Sequence, residues 1–155
     1  MLMRVQSTRR TLPSMDSSEQ IFAEGVSPDG DVWKLGWQAE GPFGITWLRV
    51  TTPAGHTHKG GYGSPSLHPD SPMSMYSGSA DDVPNGAILR VATGATGLEV
   101  TTSDGRTQTL DLVQHPAHEG ALVAALVYPR GTSIMSVRVV HPLGGQDVPI
   151  NQAQV

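Results

Sequence analysis

Gly44-Ile45-Thr46-Trp47-Leu48-Arg49-Val50-Thr51-Thr52-Pro53-Ala54-Gly55-His56-Thr57 returns fifty positions later as Gly94-Ala95-Thr96-Gly97-Leu98-Glu99-Val100-Thr101-Thr102-Ser103-Asp104-Gly105-Arg106-Thr107. Eight of the fourteen aligned positions are identical. In the first copy Leu48 and Val50 share one face, and Ile45, Trp47, Arg49 and Thr51 share the other. That alternation suits a half-buried antiparallel strand, and the Gly-containing turn after it suits a hairpin. Looser echoes occur at Val26-Ser27-Pro28-Asp29-Gly30 and at Arg138-Val139-Val140-His141-Pro142-Leu143-Gly144. Thr-Thr-x-x-Gly is what many hairpins require, so duplication and convergence explain the echo equally well. Either way it predicts an antiparallel sheet assembled from hairpins.

Working outward, strands are predicted at 21–26, 32–38, 45–52, 87–92, 97–102, 108–113, 121–128 and 133–141, with short edge strands at 73–76 and 148–150. Trp33, Leu35 and Trp37 fall on one face at period two; core packing is the expected role, and an exposed aromatic strip is the alternative. Ala121 to Val127 is nearly all apolar, which predicts a central strand buried on both faces. Turn signals every eight to twelve residues point to a sandwich. The fold expected is an all-β antiparallel β-sandwich of seven to nine strands over residues 20–150, with an extended N-terminal arm at 1–19 and a long loop at about 56–87. Its core is expected at Leu35, Leu48, Val50, Leu89, Val91, Leu98, Val100, Leu110, Leu112, Val123, Leu126, Val137 and Val139.

Composition narrows the function. The formal charge is -4, and the one adjacent basic pair is Arg9-Arg10, so binding of nucleic acid through its phosphates is disfavoured. The absence of cysteine removes disulfides, thiolate metal sites and a Cys nucleophile. No apolar run approaches the roughly 18 residues of a membrane span, so membrane insertion is not expected, and the N-terminus lacks the apolar stretch of a signal peptide. The expected location is cytoplasmic, or carried within an assembly.

From Ile88 to Gly145, Leu98-Glu99-Val100 precedes Asp104-Gly105-Arg106, and Val137-Arg138-Val139 precedes Leu143-Gly144-Gly145. This third of the chain resembles the immunoglobulin-like and fibronectin-like modules common in high-GC actinobacteria and their phages. The resemblance implies an immunoglobulin-like sandwich that binds, spaces or decorates, and it implies no catalytic residues.

The chemistry-bearing residues concentrate in the segment from His56 to Tyr76. His56 and His58 form an H-x-H pair with His68 further on, a set suited to Zn or Cu, and Met73 or Met75 would favour Cu(I). If the segment instead meets a protein, Leu67, Met73, Met75 and Tyr76 would supply the apolar contact. His115 and His118 flank a Pro-containing turn and are expected to be turn residues. Nucleophile-elbow, P-loop and dinucleotide signatures are absent. The function expected is a non-enzymatic interaction or structural module, without cofactor and with a protein partner or a second copy of itself. The alternatives are a Zn- or Cu-binding sandwich and a hydrolase of unrecognised type.

Overall fold

Three hairpins close on the same turn, and they set the architecture. A computed structural model describes residues 2–4, 19–39, 44–63, 73–118 and 120–148. The Gly30 amide donates to the Ser27 carbonyl (3.0 Å), that of Gly55 to Thr52 (2.9 Å) and that of Gly105 to Thr102 (3.0 Å). Each glycine then takes a positive φ, of 88°, 95° and 86° respectively. This is a type I turn followed by a left-handed residue, a geometry in which a side chain would be strained.

Thirteen strands are formed by the described residues, and there is no helix among them. In chain order they are β1 (Leu2–Arg4), β2 (Glu19–Val26), β3 (Val32–Gln38), β4 (Ile45–Thr51), β5 (Thr57–Tyr62), β6 (Met73–Ala80), β7 (Val83–Ala92), β8 (Gly97–Thr102), β9 (Thr107–Leu110), β10 (Val113–Gln114), β11 (Ala121–Tyr128), β12 (Ile134–His141) and β13 (Gly144–Val148). They make three sheets: β2-β3-β4-β5, which carries all three tryptophans; β10-β11-β7-β6 in the middle; and β1-β9-β8-β12-β13. Every pairing is antiparallel except that of β1, which lies parallel to β9 with Leu2 opposite Thr107.

The middle sheet decides where the cores sit. Ala87, Leu89, Val91, Ala124, Leu126, Met73 and Met75 point to one side and pack with Leu98, Val100, Leu110, Val137 and Val139. Ile88, Val123, Ala125 and Val127 point to the other and pack with Phe22, Trp33, Leu35, Leu48 and Val50. A sheet covered on both faces needs apolar residues at successive positions, which explains the run Ala121–Val127. Each fully buried Leu or Val removes enough apolar surface from water to contribute roughly 1.5–3 kcal/mol. Of the thirteen expected core residues all are buried except Leu112, which is half-buried against the first core.

The all-β expectation holds, with three corrections. The described residues form three sheets and thirteen strands, where seven to nine strands were expected. The stretch 56–87 is no long loop: β5, β6 and the start of β7 occupy most of it. Its Gly and Ser residues hid the alternation, yet Gly60 and Gly61 pair with Leu48 and Trp47, where a larger residue at 61 would strike the β4 backbone. The N-terminal segment is not merely an arm, because Leu2–Arg4 pair into a sheet; residues 5–18 lie outside the described residues.

Candidate functional site

Tyr62 ends β5, and Thr46 lies opposite it on β4. Both face the middle sheet, where Ser74 and Arg90 are paired across β6 and β7. His115 follows directly after β10 and enters the same end of the inter-sheet space. Strand register and the stacking of the two sheets therefore gather Thr46, Tyr62, Ser74, Arg90 and His115. Thr46, Arg90 and His115 are each 2% exposed, although all are polar.

Buried polar groups need partners. The Arg90 Nε donates to Ser74 Oγ (3.0 Å), and its guanidinium lies over the Tyr62 ring at 5.0 Å. His115 uses both ring nitrogens. The Ala117 amide donates to Nδ1 (3.0 Å), and Nε2 meets Thr46 Oγ1 at 2.8 Å. Because Nδ1 accepts, the neutral ring carries its proton on Nε2 and donates to Thr46. Phe22 (5.2 Å) and an edge-on Trp37 (6.3 Å) line its sides, and His118 stacks on it at 4.2 Å.

This environment disfavours charge on the imidazoles. Burial, then the neighbouring His118 and Arg90, hold the His115 pKa down to about 3. The His118 pKa is lowered by burial and by Arg90. The Tyr62 phenol is pushed up by burial, against the opposing pull of Arg90; its hydroxyl approaches Thr46 and Arg90 without a well-aligned bond to either. These geometries describe a locked polar plug. Thr46 cannot surrender a proton to an Nε2 that is already protonated, so the pair does not form a nucleophile and its base. Ser74 accepts from Arg90.

The residues expected to carry function are dispersed. His56 is exposed in the β4–β5 turn, and His58 is half-buried on the inward face of β5 opposite Val50. The H-x-H spacing therefore straddles a turn and a strand and does not run along one strand. Among the described residues no three His, Asp or Glu side chains stand together as a metal site. His68 and Leu67 lie outside the described residues. Met73 and Met75 were expected at a partner surface and are corrected to core, being 0% and 2% exposed, because their strand faces the third sheet. Tyr76 is half-buried, with its ring 6.4 Å from that of Tyr62. Trp33 and Leu35 are core and Trp37 is half-buried against it, so that face does not form an exposed aromatic strip.

Sequence reasoning missed Arg90, Thr46 and Tyr62 and took His115 for a turn residue. One signal was present: Arg90 stands alone among apolar residues in Ala87-Ile88-Leu89-Arg90-Val91. A cation in a doubly covered strand must find internal partners. The chain matches no protein-family model, no curated protein and no solved structure. No helix among the described residues is long and apolar enough to cross a membrane.

Proposed function

We propose that the protein is a non-enzymatic interaction or structural module, an accessory component of a surface or virion-like assembly. The observation that carries this reading is the state of His115, buried between two sheets beside Thr46 and Arg90. Both its nitrogens are engaged and its proton sits on the nitrogen facing Thr46. The Thr46–His115 contact is thereby committed to joining two sheets.

What remains for other molecules is sheet surface and sheet edge. The strands β13, β2, β5 and β6 each end a sheet. Such edges accept further strands unless they are blunted, and β1 already adds to β9 in this way. An immunoglobulin-like role in binding or spacing agrees with this use of edges.

Sedimentation of the purified chain, alone and with extract from its native source, tests the reading. Self-association or a defined complex is the expected result. A monodisperse monomer that captures nothing counts against it. Turnover in a broad hydrolase screen, abolished by one His or Asp substitution, would replace it with the enzymatic alternative.

A further inference from the structure

The outer faces of the two outer sheets carry their charges differently. On the β8–β12–β13 side, Glu99, Arg138 and Asp147 lie directly opposite one another across neighbouring strands, so signs alternate. On the tryptophan sheet the equivalent row is Glu24, Lys34, Arg49 and Lys59. Three cations stand side by side on adjacent strands, and both lysines of the chain are among them. Like charges placed directly opposite each other destabilise a sheet, so the Lys34–Arg49–Lys59 stretch favours carboxylates beside it.

Two carboxylates already adjoin the three cations, Glu24 opposite Lys34 and Glu19 beside Arg49 and Lys59. Glu19 contacts Lys59 Nζ (3.3 Å) and Arg49 Nη2 (3.7 Å). Both cations also lie over the Trp47 ring, at 4.4 Å and 4.9 Å from its centroid. Lys34 continues the row towards β2, where Glu24 is its cross-strand neighbour. The three cations span about 10 Å, two inter-strand spacings. Beside them Val26 and Val32 pair across β2 and β3 and are 46% and 42% exposed.

We propose that this face docks a partner protein whose contact segment carries carboxylates next to small apolar side chains. The inference rests on the interaction-module reading and names the surface and the partner chemistry. Carboxylates would join Glu19 on the Lys34–Arg49–Lys59 row, and apolar side chains would cover Val26 and Val32. The valine pair favours a polypeptide with aliphatic side chains over a nucleic acid, whose base edges offer little apolar surface beyond the thymine methyl. A second copy docking face to face is disfavoured, because it would set cations against cations.

The test is titration of the full-length, isotope-labelled chain with an octapeptide alternating Glu and Val, at low and at moderate salt. The expected result is salt-sensitive binding with amide shifts centred on Val26, Val32, Lys34, Arg49 and Lys59. K34E/K59E should weaken binding at least tenfold and the milder K34Q/K59Q severalfold, whereas R138E on the other outer sheet should leave it unchanged. Glu19→Gln removes one resident carboxylate and should tighten binding severalfold, an outcome that a purely structural role of the row would not produce. Absence of binding, shifts centred elsewhere, or indifference to K34Q/K59Q would overturn the proposal. So would tighter binding of a single-stranded oligonucleotide at the same residues, which would make the partner a nucleic acid. If the wild-type chain still forms complexes in sedimentation that K34Q/K59Q also forms, the module reading stands and this face falls.

Discussion

The hairpins β4–β5 and β8–β9 share a sequence phrase and a turn, and then part company. Thr51 and Thr57 touch through their hydroxyls at 2.9 Å, and Thr101 and Thr107 do the same at 2.9 Å. Leu48 and Val50 are core, as are Leu98 and Val100. The differences lie at the non-identical positions and in what the surroundings ask of the identical ones. Thr46 meets a buried histidine, whereas Thr96 donates to the Val140 carbonyl at the surface. Trp47 fills the outer face of its sheet; Gly97 has open space beside it. One phrase thus specifies one hairpin, while the layer it joins decides what its side chains do.

The largest test of that contrast is at 47 and 97. Trp47 is 1% exposed, and its indole lies so close to Gly36 that a Cβ there would overlap the ring. Trp47→Ala should therefore cost about 3–5 kcal/mol in urea unfolding, whereas Gly97→Ala should stay within roughly 1 kcal/mol. Gly36→Ala should cost several kcal/mol alone and much less in a Trp47→Ala background, a coupling that a double-mutant cycle reads directly. Independence of the two substitutions would refute the close packing.

Next in size is the pair 46 and 96. Thr46→Val leaves the His115 Nε2–H buried without its acceptor and should cost about 1–3 kcal/mol, while Thr96→Val should cost less than about 0.5 kcal/mol. His115 also gives the fold a pH dependence with a definite sign. Its folded pKa, about 3, lies below the ordinary 6.5. As pH falls below about 6.5, the unfolded chain takes up a proton that the folded chain refuses. The stabilisation is thus complete above about 6.5 and is lost as pH drops towards 3. It amounts to on the order of a few kcal/mol. Urea midpoints measured from pH 7 to pH 4 should fall more steeply for the wild type than for His115→Gln.

The turn glycines should behave alike. Gly55→Ala and Gly105→Ala each place a side chain at positive φ with nothing nearby to clash, so each should cost about 1 kcal/mol by thermal unfolding. Unequal costs would show that the two turns are not equivalent. The smallest effect is at 54 and 104. Asp104 accepts from Thr102 Oγ1 (2.6 Å) and from the Arg106 amide (3.2 Å), and the Thr102 bond leads the causes that lower its pKa. In the first hairpin Thr52 Oγ1 instead accepts from the His56 amide (3.1 Å). Asp104→Ala should lower the melting midpoint slightly, by roughly 0.5 kcal/mol or less, and Ala54→Asp should raise it by a similar amount.

Local chemistry made much of this readable from the chain. Pro28, Asp29 and Gly30 announce a turn whatever surrounds them, and period-two alternation marks inward residues such as Leu98 and Val100 without any partner being known. The glycine-rich strand β5 escaped because Gly60 and Gly61, the latter set against the β4 backbone, leave no alternating side chains to betray it. Met73 and Met75 were misplaced because a methionine is equally at home in a core and at an interface.

By itself, the sequence determined the all-β class, the three similar hairpins, nearly all of the core and the doubly buried strand at 121–128. Each of those depends on neighbours along one strand or across one turn. The tertiary structure alone decided that the sheets number three, that Thr46, Arg90 and His115 meet, and that Lys34, Arg49 and Lys59 form a row. Those residues are brought together by strand register and by sheet stacking, and contacts so distant along the chain leave no period in the sequence that links them.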